Sequence, residues 1–192
     1  GTGRMKAELM DLNPGKLCNG LKSLPEEIKE LTKLETLYIA NGELSVLPAG
    51  MTNLKSCTDL EIYNCPEMTE FPAVIAKMRA LVSLNLSCNP QWGSIHGKNE
   101  DSEEITESDH GLELLANGES RKLIQILYMN DCGLTQIGPS IRNMEKIGLL
   151  DLANNDIRVI KKAFTTKIKP VQLYLDNNEL DHFPTEDGFF CG

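Results

Sequence analysis

The sequence predicts an α/β solenoid, a right-handed coil with a parallel sheet on one side and short helical, 3-10 or extended segments on the other. Three observations predict it. The stretch from Ile147 to Ile157 carries aliphatic residues at its positions 1, 4, 6 and 11 (Ile147, Leu150, Leu152, Ile157) and Asn155 at position 9. Leu37, Leu60, Leu84, Leu127, Leu150 and Leu173 repeat position 4 at spacings of 23, 24, 43, 23 and 23 residues. A proline-marked return segment recurs at Leu24-Pro25, Leu47-Pro48, Phe71-Pro72 and Phe183-Pro184. Self-similarity at such a period marks stacked repeats, in which each coil contacts only its neighbours and no central core has to form.

The elements follow in order. Gly1-Thr2-Gly3-Arg4 reads as an expression remnant, and residues 5–20 as a degenerate opening coil, with Leu12 and Leu17 one residue out of register and a turn at Asn13-Pro14-Gly15. The array proper is expected over residues 21–192. Leu21, Leu24, Ile28, Leu31 and Leu34 have the spacing of a helical or 3-10 return, and Pro25 suits its first turn. Coil one spans residues 34–54, and coil two carries one extra residue between Cys65 and Met68. Coil three begins at Leu81 and is interrupted after Asn89. Coils four, five and six begin with IQILYMNDCGL, IGLLDLANNDI and VQLYLDNNEL, and the last stops mid-coil at Gly192. Phe189-Phe190-Cys191 supplies no polar cap, so the natural chain is expected to continue. Right-handed crossovers connect parallel strands, and at about 4.8 Å per strand some seven coils make a rod roughly 30 Å long.

The interruption at 90–122 lengthens coil three to 43 residues. Within it, Ser102–Asn117 reads as a helix with Asp101 or Ser102 as N-cap, acids in its first turn and an Asn117-Gly118 stop. Ile105, Leu112, Leu115 and Ala116 give it an apolar side, which places it among the convex return segments with a solvated acidic face.

Charge and composition remove several functions. The net charge of −9 is concentrated: residues 99–120 hold eight acids and no Lys or Arg, leaving 20 acids against 19 bases elsewhere. Nucleic-acid binding needs a basic stripe that displaces counterions, and none is present. No run of 18 apolar residues could cross a membrane. The six cysteines read as free thiols, because Cys65 and Cys132 occupy position 9 and Cys57 the inward position 1. Free thiols usually accompany a reducing compartment, although an anaerobe's surface proteins escape that rule.

The motif as a whole, six coils over residues 21–184 with LP-x-x-I returns, resembles the 23-residue class of the leucine-rich repeat family. The interrupted coil, LSCNP followed by LELLANG, together with KLIQILYMNDCGL also resembles repeat arrays in surface proteins of Bacteroides-type gut bacteria. The family resemblance implies a binding scaffold that uses its concave sheet. The second resemblance implies an extracellular or bacterial cell-surface setting; the residues themselves leave the compartment open. Gly42 at position 9 and the missing proline in coil five depart from the pattern.

No catalytic constellation, cofactor motif or metal set emerges. His96, His110 and His182 have no Cys or carboxylate at ligand or triad spacing. Asp59 and Glu61 share one face of a strand, where carboxylates are usually just solvated. The informative pattern lies in positions 5 and 7, which flank the inward residues and face away from the core. Position 5 reads Tyr38, Glu61, Asn85, Tyr128, Asp151, Tyr174, and position 7 reads Ala40, Tyr63, Ser87, Asn130, Ala153, Asp176. All four tyrosines fall in these columns and no Lys or Arg does. Tyrosine favours strands for packing reasons alone, yet it is also enriched in interface hot spots. The candidate partner-binding residues are therefore Tyr38, Asp59, Glu61, Tyr63, Asn85, Tyr128, Asn130, Asp151, Tyr174 and Asp176. The expected function is non-enzymatic binding of a protein or peptide with basic residues. The alternatives are a glycan-binding or adhesin module, in which tyrosines stack on a sugar, and a structural spacer in a longer array.

Overall fold

The computed structural model describes residues 21–40, 42–89, 92, 111–160 and 170–181. Six strands, β1 (Thr36–Ala40), β2 (Asp59–Tyr63), β3 (Ser83–Asn85), β4 (Ile126–Tyr128), β6 (Leu149–Asp151) and β8 (Gln172–Tyr174), form one parallel sheet in the order β1-β2-β3-β4-β6-β8. A second, two-stranded parallel sheet pairs β5 (Gln136–Ile137) with β7 (Val159–Ile160) on the return side of coils four and five. The returns also carry 3-10 turns: η1 (Glu26–Glu30), η2 (Ala49–Asn53), η3 (Ile75–Lys77), η4 (Ser120–Lys122) and, following β5 in coil four, η5 (Pro139–Asn143).

The register is that of a stacked ladder. Leu37 pairs with Leu60, Leu60 with Leu84, Leu84 with Leu127, Leu127 with Leu150 and Leu150 with Leu173. From Leu37 to Leu150 these residues are buried, and each contributes on the order of 1.5–3 kcal/mol by leaving water. Position 6 does the same through Ile39, Ile62, Leu86, Met129 and Leu152, all buried. Period-two alternation fixes the faces: β1 runs exposed, buried, exposed, buried, half-buried.

The corners explain the recurring asparagine. Asn155 Oδ1 accepts the N–H groups of Cys132 and Leu134, both at 3.0 Å, while its Nδ2 donates to the carbonyls of Met129, Leu152 and Ala153. Asn89 accepts the Cys65 N–H at 3.0 Å and donates to Ile62, Leu86 and Ser87. Asn178 links Ile157 to Leu152, Leu175 and Asp176 in the same way. Each asparagine thus satisfies backbone groups that no strand ladder reaches. The buried thiols substitute with weaker bonds: Cys132 Sγ donates to Leu86 O at 3.1 Å. Cys57, Cys65, Cys88 and Cys132 are free, and Cys18 and Cys191 lie outside the described residues.

Position 8 is a second corner column, one that the sequence reading passed over. Asn64, Cys88, Asp131, Asn154 and Asn177 all adopt positive φ, between 51° and 60°. Asn and Asp tolerate this left-handed region better than other non-glycine residues, which accounts for four of the five identities.

The interruption is partly visible. Its helix α1 is described over Gly111–Asn117; the expected N-terminal portion at Ser102, with Ile105 and the nearby acids, lies outside the described residues. The helix packs against η3, η4 and η5, on the return side, and Asn143 Nδ2 donates to Asn117 Oδ1 at 3.1 Å. One expectation is corrected here. Glu113 is buried, 5% exposed, so the helix does not keep all its acids in solvent. Glu119, by contrast, is at the surface, and its carboxyl is held below the ordinary carboxylate range chiefly by its hydrogen bond from Lys122. Gly118 is required by close approach, since an added Cβ would run into the backbone of Ala76. Trp92, the only tryptophan, fills the coil-three corner: it is 2% exposed, meets Phe71 edge-on at 5.5 Å, and its Nε1 donates to Met68 O at 2.7 Å.

Candidate functional site

The outward face of the six-stranded sheet is built from three columns that the ladder brings into rows. In the position-5 row, Tyr38 is in register with Glu61, Glu61 with Asn85, Asn85 with Tyr128, Tyr128 with Asp151 and Asp151 with Tyr174. Tyr38 and Tyr174 are exposed, at 55% and 43%, and the four between them are half-buried. In parallel strands about 4.8 Å apart, Asp151 therefore stands between two aromatic rings.

Two of these polar side chains also serve the backbone. Asp151 Oδ1 accepts the Ala153 N–H at 3.1 Å, and Asn85 Oδ1 accepts the Ser87 N–H at 3.1 Å. Each closes a turn at the end of its own strand, which fixes the direction of the side chain.

The position-7 row is less open than the alternation suggests. Ser87 and Ala153 are buried, Ser87 Oγ donates to Asn130 Oδ1, and Asn130 Nδ2 donates to Asp131 Oδ2 at 2.8 Å. Asn130 is thus occupied within the molecule. Asp131 also accepts from Asn154 Nδ2 at 3.3 Å, and Asn154 Oδ1 accepts from Asn177 Nδ2 at 2.7 Å, so position 8 makes its own polar ladder. Tyr63 remains at the surface of this row. Its phenol is raised above the usual tyrosine value, first by its hydrogen bond with Cys88, then by the Cys88 charge and desolvation, with Asp131 and Glu61 adding to the effect. Asp176 is exposed.

Position 3 adds a feature that the tyrosine pattern does not reveal. Thr36, Asp59, Ser83, Ile126, Leu149 and Gln172 are in register, so Ile126 and Leu149 lie side by side on the outward face. Both are half-buried. They sit two residues before Tyr128 and Asp151, on the same face. The signal was available: two aliphatic residues at consecutive position 3s have no inward ladder to join.

The charge on this face is one-sided. Positions 3, 5 and 7 hold Asp59, Glu61, Asp151 and Asp176 and no basic residue. The ion pairs among the described residues, Lys22–Glu43, Arg79–Glu119, Lys122–Glu119 and Arg158–Glu179, all involve other positions. Asp59 is held by the Thr58 hydroxyl at 2.6 Å, a neutral partner. Among the described residues no group of three or more His, Cys, Asp or Glu could hold a metal ion, and the three histidines fall outside them. No described helix is long and apolar enough to cross a membrane.

Repeat period, in-register parallel ladder and corner asparagines together define a leucine-rich repeat solenoid. Comparison with known proteins agrees. A leucine-rich repeat protein from Bacteroides thetaiotaomicron superposes with a TM-score of 0.64 at 25% identity, over 88% of this chain and 24% of that one. A second, from Bacteroides eggerthii, superposes with a TM-score of 0.61 at 22% identity, over 92% of this chain and 34% of that one. A stretch of 75 residues, 38% of the chain, is 35% identical to Disease resistance protein RML1A of Arabidopsis thaliana and spans 7% of that protein. No family model matches. The chain thus has the leucine-rich repeat fold and spans about a third or less of each of these proteins.

Proposed function

We propose that this chain is a non-enzymatic binding module that takes a basic protein segment or peptide on the outward face of its main sheet. One observation carries the reading: Asp59, Glu61, Asp151 and Asp176 share that face with the tyrosines, and no cation of the described molecule neutralises them. Carboxylates without an ion-pair partner among the described residues, beside aromatic rings, suit a cationic side chain, which gains charge pairing and cation–π contact together. Tyr38, Tyr63, Tyr128 and Tyr174 supply rigid contact area, and Asn85 supplies a polar edge, while Asn130 is engaged by Ser87 and Asp131. The same acidity disfavours RNA and DNA.

Ionic strength provides the test. Binding of Lys- or Arg-containing peptides to the immobilised chain should weaken several-fold between about 50 and 500 mM salt, as the screening length shortens. It should also weaken on Tyr128→Ala. Salt-independent binding of neutral oligosaccharides, with no binding of basic peptides, would overturn this reading in favour of a glycan-binding module. The absence of either would favour a spacer in a longer array.

A further inference from the structure

We propose that the bound segment is an extended strand carrying two cationic residues four positions apart, one seated at Glu61 and the other at Asp151. This rests on the binding reading above and adds a spacing to it. Glu61 and Asp151 belong to the same row, separated by the ladder steps β2 to β3, β3 to β4 and β4 to β6. Three steps at about 4.8 Å place them roughly 14 Å apart. An extended peptide laid along the row advances about 3.4 Å per residue, so four residues cover the same distance. Parity supports the match. Side chains of a strand alternate between faces, so residues i and i+4 both point at the sheet, whereas i and i+3 or i+5 cannot.

The surroundings of the two carboxylates distinguish their seats. Glu61 has Tyr38 on one side in the row and Asp59 two residues back on its own strand. Asp151 lies between Tyr128 and Tyr174, with Leu149 two residues back and Ile126 beside Leu149. The second seat offers aliphatic and aromatic surface for the stem of a long side chain and a carboxylate for its head, the arrangement in which Lys and Arg bury their methylenes. Asp151 Oδ1 is held by the Ala153 N–H, so the carboxylate is already oriented. Between the seats, the residue at i+2 meets Asn85 and Tyr128, neither of them charged. This middle seat accepts a neutral side chain and offers no charge pairing to a third cation. No ion pair among the described residues competes for Glu61 or Asp151.

Synthetic peptides of about eleven residues test the spacing directly. Each carries two lysines separated by two, three, four, five or seven positions in an otherwise Ser/Thr sequence, so that net charge is constant. Fluorescence anisotropy at about 50 mM salt against the whole chain should show the four-position peptide binding at least about fivefold tighter than the rest. That preference should vanish in Glu61→Gln and in Asp151→Asn, the latter keeping an oxygen for the Ala153 N–H and therefore the fold. Glu145→Gln, on the return side, should leave it intact. Equal affinity for all five spacings would overturn the two-seat geometry while leaving the binding of basic segments standing. Failure of every lysine peptide to bind better than an uncharged control would overturn the binding reading itself.

Discussion

Replacing Asn155 with alanine should cost the array more than any surface substitution, and the structure sets the size of the loss. The side chain is 6% exposed and makes five hydrogen bonds to backbone groups of its own coil and the preceding one. Not all five partners would be stranded. The Ala153 carbonyl also accepts the Asp131 N–H, and the Leu152 carbonyl also accepts from Asn178 Nδ2. The N–H groups of Cys132 and Leu134 and the carbonyl of Met129 would lose the partner that Asn155 supplies. Leaving a buried backbone group unsatisfied costs about 1–3 kcal/mol, so three of them give about 3 kcal/mol at the low end. Urea denaturation followed by far-ultraviolet circular dichroism should therefore show Asn155→Ala destabilised by about 3 kcal/mol or more. Asp156→Ala, at an exposed position next door, should stay within about 0.5 kcal/mol of wild type. A loss below about 1 kcal/mol in Asn155→Ala, with an unchanged denaturant slope, would refute the view that corner satisfaction holds the coils together.

Other outcomes follow from the same geometry. Trp92→Ala removes a fully packed ring and a hydrogen bond to Met68 O and should cost about 3–5 kcal/mol; in the wild type its emission should be blue-shifted and should move red on unfolding in urea. Burial pushes Cys57 up to about 11 and Cys132 up to about 12 from an ordinary thiol's 9.0, so both stay protonated in the fold while the unfolded chain ionises. Their contribution is complete below about pH 9 and is lost as pH rises through 11–12, so the urea midpoint should fall over that interval, less steeply in Cys132→Ala. Asp151→Ala should weaken a basic ligand several-fold and also cost about 0.5–1.5 kcal/mol, because the Ala153 N–H loses its acceptor; calorimetry and thermal melts read the two effects separately.

The fold was legible because a solenoid writes itself in one dimension. Leu37 to Leu173 recur at the coil period, and each coil repeats the instruction of the last, so local pattern and global structure coincide. Asn89, Asn155 and Asn178 were readable for the same reason, with the physical role of corner donors and acceptors. The legibility ends where repetition ends. Trp92 sits just beyond the point at which coil three departs from the template, and nothing in the pattern says that an indole will take a corner place. Glu113 looked like one acid among eight in a solvated stretch, yet helix α1 turns it into the interior. Position 8 was visible as an Asn/Asp column but carries no meaning until the left-handed φ is seen.

The outward face follows a different logic. A residue at positions 3 or 5 supports no inward ladder, so its identity is free of the constraint that fixes position 4. What the structure adds is that freedom is not uniform. Asn85 and Asp151 each spend one side-chain oxygen on closing their strand end, onto Ser87 and Ala153, and either an amide or a carboxylate can do this. The choice of carboxylate at 151 therefore has no structural reason that asparagine would not meet equally. It places a charge, oriented by the backbone, between Tyr128 and Tyr174 at no loss to the turn. A side chain held in this way loses little conformational entropy on engaging a ligand, so the half-buried, oriented Asp151 can bind more than a flexible surface acid does. On this argument Asp151→Asn separates the two roles: the turn is kept, the charge is removed, and any loss of binding reports the ligand alone.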